Sequence, residues 1–355
     1  MDSAAVRVLV VDDSPFMRKA LSTMLGSDPG IKVVGTASDG CEAVEKVSEL
    51  KPDIITMDVE MPRMDGIEAL KRIMRETPLP VVMVSALTVE GAMVTLHALE
   101  LGAVDFIPKN LSGSSMDIVR IREVLKEKIK HLGRKGLVRA SHAPAMAHST
   151  AAALHGMVQP VCTNGAKADI VAIGASTGGP KVLQQIIPSL PKNLPVPVLI
   201  SQHMPPNFTK PFAERLDQIS EISVKEAEDG EVIESGVVYI APGRGHMRVA
   251  RGMPRPAISI GEGGDFIYRP SVDALMVSVA GQFQRRAVGV ILTGMGNDGL
   301  VGLKGVKSVG GRVIAQDEKT CVIYGMPKAV VEAGIADNVL PAEEIPHAIL
   351  GYVCK

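Results

Sequence analysis

At 355 residues, 46% of them hydrophobic and 22% charged, the chain is too long for one small core and suits two globular domains. Aromatic residues make up 3% and Trp is absent, which removes the stacking platforms that single-stranded nucleic acid uses. The net charge of −1 is spread evenly over the two halves, so neither carries the basic excess of a nucleic-acid-binding domain.

The four cysteines (Cys41, Cys162, Cys321 and Cys354) form no Cys-x-x-Cys pair and read as scattered reduced thiols, not as disulfides or zinc ligands. A strand signal begins by Val6, which leaves no space for a signal peptide, and no apolar run reaches membrane-spanning length. The expectation is a cytoplasmic protein without membrane insertion.

Five apolar runs come first: Val6–Val11, Ile31–Gly35, Asp53–Met57, Pro80–Ser85 and Val104–Ile107. Amphipathic stretches follow them near Pro15–Leu25, Gly40–Leu50, Gly66–Arg75, Glu90–Leu101 and Met116–Leu132. This alternation predicts an α/β domain over 1–132, a flavodoxin-like (βα)5 unit with a parallel sheet covered on both faces. Residues 133–167 show no helical or strand period and read as a linker.

A second strand–helix series starts at Asp169 and predicts a doubly wound α/β domain over 168–355. Its early strands are Ile170–Ile173 and Val196–Ser201, with helices near Lys181–Ile187 and Pro211–Gln218. Val224–Arg255 is rich in Gly, Pro and short β runs, among them Gly236–Ala241 and Met247–Ala250, and suggests antiparallel strands inserted on an edge. Alternation resumes from Asp273.

Ligands of parallel sheets sit beyond the carboxyl ends of the strands. In the first domain Asp12 and Asp13 follow one strand and Asp58 ends another, while Ser85 ends the fourth and Lys109 follows the fifth. Mg²⁺ prefers hard oxygen ligands, so Asp12 and Asp13 can anchor the ion. Asp58 can then accept a phosphoryl group whose oxygens Lys109 and Ser85 contact. Taken singly, Asp13 or Ser14 is also a helix N-cap signal and Asp58 a turn former.

These residues resemble the response-regulator receiver family through VLVVDDSPFMR (8–18), MDVEMPRMDG (57–66), VVMVSA (81–86) and GAVDFIPKN (102–110). The resemblance implies phosphorylation of Asp58, Mg²⁺ held by Asp13, Asp58 and the Glu60 carbonyl, and phosphate sensing by Ser85 and Lys109. Asn110 stands where a Pro usually follows the Lys, and Phe106 occupies the switch-aromatic position.

In the second domain, Gly174-Ala-Ser176-Thr-Gly178 lies between a strand and a helix opened by Pro180, a pattern that exposes a serine on a tight turn. The same glycine-rich turn can also cradle a phosphate. His203 follows the strand segment Val196–Ser201 and Asp298 lies on the loop after Ala287–Leu292, at the same sheet edge, and they supply a base and its orienter. The Met295 N–H is a candidate oxyanion donor. His246 is a rival base, and Asp298 in Asn-Asp-Gly is equally a loop or N-cap residue.

The second domain is similar to the chemotaxis protein-glutamate methylesterase family through AIGASTGGP (172–180), SQHMPPNFT (201–209), SVKEAEDGE (223–231), YIAPGRGHM (239–247), RPSVDALM (269–276), GVILTGMGNDG (289–299) and IAQDEKTCVIYGMP (314–327). The resemblance implies a serine esterase with nucleophile Ser176, base His203 and orienter Asp298, its site lined by Thr177 and the Met295 backbone. It also implies chemoreceptor glutamate methyl esters as substrate, release of methanol, deamidation of receptor glutamines and no cofactor for the esterase. A chemotaxis histidine kinase is the implied phosphodonor, and the receiver is expected to cover the esterase cleft until Asp58 is phosphorylated. The reading from another class is a phosphorylation-controlled module that binds a nucleotide or protein without catalysis, using the Gly174–Gly179 loop.

Overall fold

A computed structural model describes residues 5–134 and 168–354, apart from 87, 110–114, 251, 253, 254, 265 and 267, and without side chains for 115–121. The chain divides into two units, Met1–Val158 and Gln159–Lys355. Of the linker expected over 133–167, only Gly133 and Arg134 are described, and they are helical. Asn110 lies outside the described residues.

The first unit runs β1 (Val6–Val11), α1 (Pro15–Gly26), β2 (Ile31–Ala37), α2 (Gly40–Leu50), β3 (Ile54–Asp58), α3 (Gly66–Glu76), β4 (Val81–Ser85), α4 (Val89–Glu100), β5 (Asp105–Pro108) and α5 (Ser115–Arg134). All five strands are parallel, in the order β2-β1-β3-β4-β5. Central strands β3 and β4 are buried along their whole length, as a sheet covered on both faces requires. α5 runs two residues past the expected boundary because Gly133 packs on the Val6 side chain, where a Cβ would overlap.

Helix starts follow from short polar caps. The Ser14 hydroxyl accepts from Met17 N ahead of Pro15, and Asp39, Asp65 and Thr88 accept in the same way at the starts of α2, α3 and α4. The cap of α1 is thus Ser14, which leaves Asp13 available to the sheet edge.

The second unit runs β6 (Ile170–Ala175), α6 (Gly179–Ile186), β7 (Val198–Gln202), α7 (Pro206–Ile219), β8 (Ser223–Glu226), β9 (Val237–Ile240), β10 (His246–Ala250) and β11 (Ala257–Gly261). It continues through α8 (Val272–Phe283), β12 (Ala287–Ile291), α9 (Leu300–Ser308), β13 (Arg312–Gln316), α10 (Met326–Glu332), β14 (Asn338–Leu340) and α11 (Ile345–Val353). Seven strands form a parallel sheet in the order β14-β13-β12-β6-β7-β9-β8.

The expected antiparallel insertion is the β10–β11 pair, with His246 opposite Gly261 and Ala250 opposite Ala257. The run Gly236–Ala241 is not part of it. β9 pairs parallel with β7 because Val238, Tyr239 and Ile240 are buried and need cover on both faces. α7 also starts five residues earlier than expected, at Pro206; Pro211 sits inside it and forgoes one helical hydrogen bond.

β6 is the first strand of this sheet, β7 lies on one side of it and β12 on the other. The strand order therefore reverses at β6, the topology that opens a crevice at the carboxyl ends.

Candidate active site

Three neighbouring strands deliver three side chains to that crevice. Ser176 follows β6, His203 follows β7, and Asp298 lies on the loop between β12 and α9. The Ser176 Oγ and His203 Nδ1 are 3.0 Å apart, and His203 Nε2 lies 2.7 Å from Asp298 Oδ2.

Backbone bonds fix the approach. Ser176 N donates to Thr293 O (3.0 Å), and His203 N donates to Ala175 O (3.0 Å). The Thr293 hydroxyl donates to Thr177 O (2.9 Å) and accepts from Ile323 N (3.0 Å), joining three loops at one point. Gly294 must be glycine because a Cβ there would come within 2.8 Å of the Ser176 Cβ. Met295 follows Gly294 in the chain, and Thr177, next to Ser176, is buried.

Asp298 is anchored as heavily as it anchors. Its Oδ2 accepts from Val272 N (2.8 Å), and its Oδ1 accepts from Asp273 N (3.0 Å) and the Ser271 hydroxyl (3.2 Å). The carboxylate thus serves the N-terminus of α8 and the imidazole together, although the cap of α8 is Ser271 and that of α9 is Gly299, so Asp298 is the N-cap of neither helix. Burial pushes its carboxyl up, but the His203 imidazole and the backbone N–H groups of Asp273 and Val272 outweigh this and hold it below the ordinary range.

His246, the rival base, is buried and engaged with the start of α8. Its Nδ1 accepts from Ser271 N at 3.0 Å, and burial holds its pKa down, helped by Arg248 and Arg269. It supports the α8 N-terminus from which Asp298 takes its hydrogen bonds.

The glycines of the Gly174–Gly179 turn are packed against protein. A Cβ would overlap Val272 at Gly174, Val322 at Gly178 and the Gln202 carboxamide at Gly179. Such crowding accounts for the glycines without a phosphate cradle.

In the first unit, one ligand atom from each of Asp12, Asp13 and Asp58 lies within 4.8 Å of the other two. Lys109 Nζ is 3.4 Å from Asp12 Oδ2 and also pairs with Asp58 Oδ2. Glu60 N donates to Asp58 Oδ1 (3.3 Å). The Ser85 hydroxyl donates instead to Gly91 O on α4 (3.2 Å). Asp12 Oδ2 is buried and has no hydrogen-bond partner beside that ion pair, and hard oxygens of this kind suit a small divalent cation.

Burial pushes the Asp58 carboxyl up to about 6, against the opposing pull of Lys109. Desolvation opposes the Lys109 charge, but Asp58 and Asp12 overcome it and raise that group. A carboxyl whose folded value lies above its unfolded one binds its proton more tightly when folded. Acidification through about 6 therefore favours this fold, and ionisation above that opposes it. Asp58→Asn, which leaves Asp12 to pair with Lys109, should stabilise the first unit by about 1–2 kcal/mol near neutral pH without divalent cations. A melting temperature that falls in EDTA would contradict this.

The family profile described as CheB methylesterase matches residues 171–349, and that for the response regulator receiver domain matches residues 8–119. A relative from Oleidesulfovibrio alaskensis, named protein-glutamate methylesterase/protein-glutamine glutaminase 1, is 49% identical over 99% of this chain and 100% of its own length. The chain belongs to the CheB methylesterase family. A Pyrococcus abyssi relative with the same enzyme name is 46% identical, covering 98% of this chain and 94% of its own. The crystal structure of the Thermotoga maritima CheB methylesterase catalytic domain is 48% identical and covers 53% of this chain and 100% of that one, with a TM-score of 0.52.

Three residues of this CheB-family site escaped the sequence reading. Gln202, at the end of β7, donates through Nε2 to both Ser176 O (2.9 Å) and His203 O (3.1 Å). Ser271 links His246 to Asp298. Tyr268 stacks on His203, with ring centroids 4.6 Å apart and planes 13° from parallel. Only Gln202 left a trace in the sequence, as a polar residue closing an apolar strand beside a histidine.

Proposed function

We propose that this chain is a phosphorylation-regulated serine esterase that hydrolyses glutamate γ-methyl esters on chemoreceptors, and that it also deamidates specific receptor glutamines. The observation that carries the reading is the unbroken line from Ser176 Oγ through both His203 nitrogens to Asp298, at the carboxyl edge of adjacent strands.

Asp298 accepts a hydrogen bond from His203 Nε2–H, which leaves the Nδ1 lone pair facing the serine hydroxyl. As Ser176 Oγ bonds to the ester carbonyl carbon, its proton passes to Nδ1 and the carbonyl oxygen becomes an oxyanion. The Met295 N–H and the N-terminus of α6 stabilise that charge. Collapse breaks the carbon–methoxy bond, and Nδ1 returns the proton to release methanol. Water then attacks the acyl-enzyme, giving Nδ1 a proton that returns to Ser176 as the glutamate carboxylate leaves. An amide follows the same path with ammonia as leaving group. Thr177 lines the pocket.

Residues 1–132 are proposed as the receiver, 133–167 as the tether and 168–355 as the esterase. Asp58 is the phosphoryl acceptor, served by a histidine kinase. Asp12, Asp13, Asp58 and the Glu60 carbonyl would hold Mg²⁺, which neutralises charge on the transferring phosphoryl group. Lys109 and Ser85 contact the phosphoryl oxygens, which requires the Ser85 hydroxyl to leave Gly91 O. Among the described residues no helix is long and apolar enough to cross a membrane, in keeping with action on the aqueous part of a receptor.

The test is methanol release from methylated receptor, measured with and without a small-molecule phosphodonor and Mg²⁺. The expected result is release that the phosphodonor increases in the wild type but not in Asp58→Asn. No release, or stimulation that survives in Asp58→Asn, would overturn the reading.

A further inference from the structure

We propose that Tyr268 is a positioning residue of the esterase, stabilising the protonated form of His203 through the face of its ring. This rests on the esterase reading above and extends it to a residue outside the serine–histidine–aspartate set.

The phenol and imidazole rings are nearly parallel, 13° apart, with centroids separated by 4.6 Å. That lies within the range at which an aromatic face attracts a cation, because the ring quadrupole presents negative charge to whatever lies above it. The imidazole is neutral before reaction and cationic after it takes the serine proton. The attraction is therefore stronger in the transition state than in the resting enzyme, which is the condition for raising turnover.

Asp298 alone is not dedicated to that charge. Its two oxygens also serve Val272 N, Asp273 N and the Ser271 hydroxyl, so its field is shared between the α8 N-terminus and the imidazole. The His203 side chain is only 9% exposed, and water gives it little help. A polarisable face on the open side of the ring supplies what solvent does not.

The segment bearing Tyr268 is built to hold it there. Phe266 packs against His246 at 5.0 Å and lies under the Arg248 guanidinium at 5.6 Å. Ser271, three residues on, is fixed by His246 and by Asp298. Asp298 on the β12–α9 loop pairs with the imidazole, and Asp273 on α8 and His246 on β10 lie within electrostatic range of Asp298. Arg269, Glu262 and Arg248 lie within electrostatic range of His246. All of these stay in place when residue 268 alone is changed.

The experiment uses the full chain and methylated receptor, following kcat, KM and the pH profile of kcat/KM in Tyr268→Phe, Tyr268→Leu and variants with fluorinated phenylalanines at 268. Tyr268→Phe keeps the ring face and should stay within about twofold of wild type. Tyr268→Leu should lower kcat by about two- to thirtyfold and move the acid limb of the profile to lower pH, because the cation has lost its support. Increasing fluorination keeps the ring shape while draining its face of charge, so kcat should fall stepwise along the series even if the leucine variant misfolds. A flat fluorination series, or a Tyr268→Leu effect confined to KM with an unmoved acid limb, would overturn the inference while leaving the esterase reading intact. A wild type without methanol release would overturn both.

Discussion

Ser176→Ala should lower methanol release by about 10⁵- to 10⁶-fold, the scale seen when a serine hydrolase loses its nucleophile. The fold should not notice. The backbone bonds that hold this turn, from Ser176 N to Thr293 O and from Gly179 N to Ser176 O (2.8 Å), survive the substitution. So do the bonds from the Gln202 carboxamide. The variant should therefore melt with the wild type, and the lost activity reads as chemistry alone. Methanol release from purified protein, beside a melting curve, checks both halves. Loss of His203 as well should add little, because nucleophile and base act as one unit.

Asp298→Asn should cost about 10⁴-fold in turnover, and its cause is a tautomer. The carboxylate accepts a hydrogen bond from Nε2–H, which keeps the proton on that nitrogen and leaves Nδ1 unprotonated toward Ser176 at 3.0 Å. A carboxamide that turns its NH₂ to Nε2 moves the proton to Nδ1, where it can no longer take the serine proton. Its oxygen still accepts from Asp273 N and the Ser271 hydroxyl, whereas Val272 N, which donates to the Oδ2 position, loses its acceptor, so stability should fall by about 1 kcal/mol. Asp298→Ala removes that acceptor too and strands the N–H groups of Val272 and Asp273, for about 1–3 kcal/mol. The pH sign follows from the depressed carboxyl. Asp298 contributes stability above its unfolded value, and that contribution disappears as pH falls through the lower folded one. A kcat near wild type in Asp298→Asn would show that the carboxylate only anchors the start of α8.

Much of this site was legible in the sequence because parallel sheets send their loops to one edge. Once Ser176, His203 and Asp298 follow apolar strand runs, their meeting needs only that the three strands be neighbours. Neighbourhood itself was not legible, since nothing in the chain says that β6 lies between β7 and β12. The acidic pocket was readable for the same reason, and of the two cap candidates before Pro15 it is Ser14 that caps α1. Orientation was hidden: Ser85 arrives at the right strand end with its hydroxyl on Gly91 O. Tyr268 was hidden more deeply, on a segment with neither helical nor strand period that folds back over the histidine. Gly236–Ala241 misled because a short strand among glycines and prolines looks like a hairpin arm, whereas burial on both faces draws it into the parallel sheet.

The cooperation of serine and imidazole is tested most directly by treating the full chain with a fluorophosphonate and mapping the adduct by peptide mass. The account predicts one adduct, on Ser176, forming at least about 10³-fold more slowly in His203→Gln, because the hydroxyl then has no base. An adduct on another residue, or labelling of Ser176 at the same rate without His203, would contradict it.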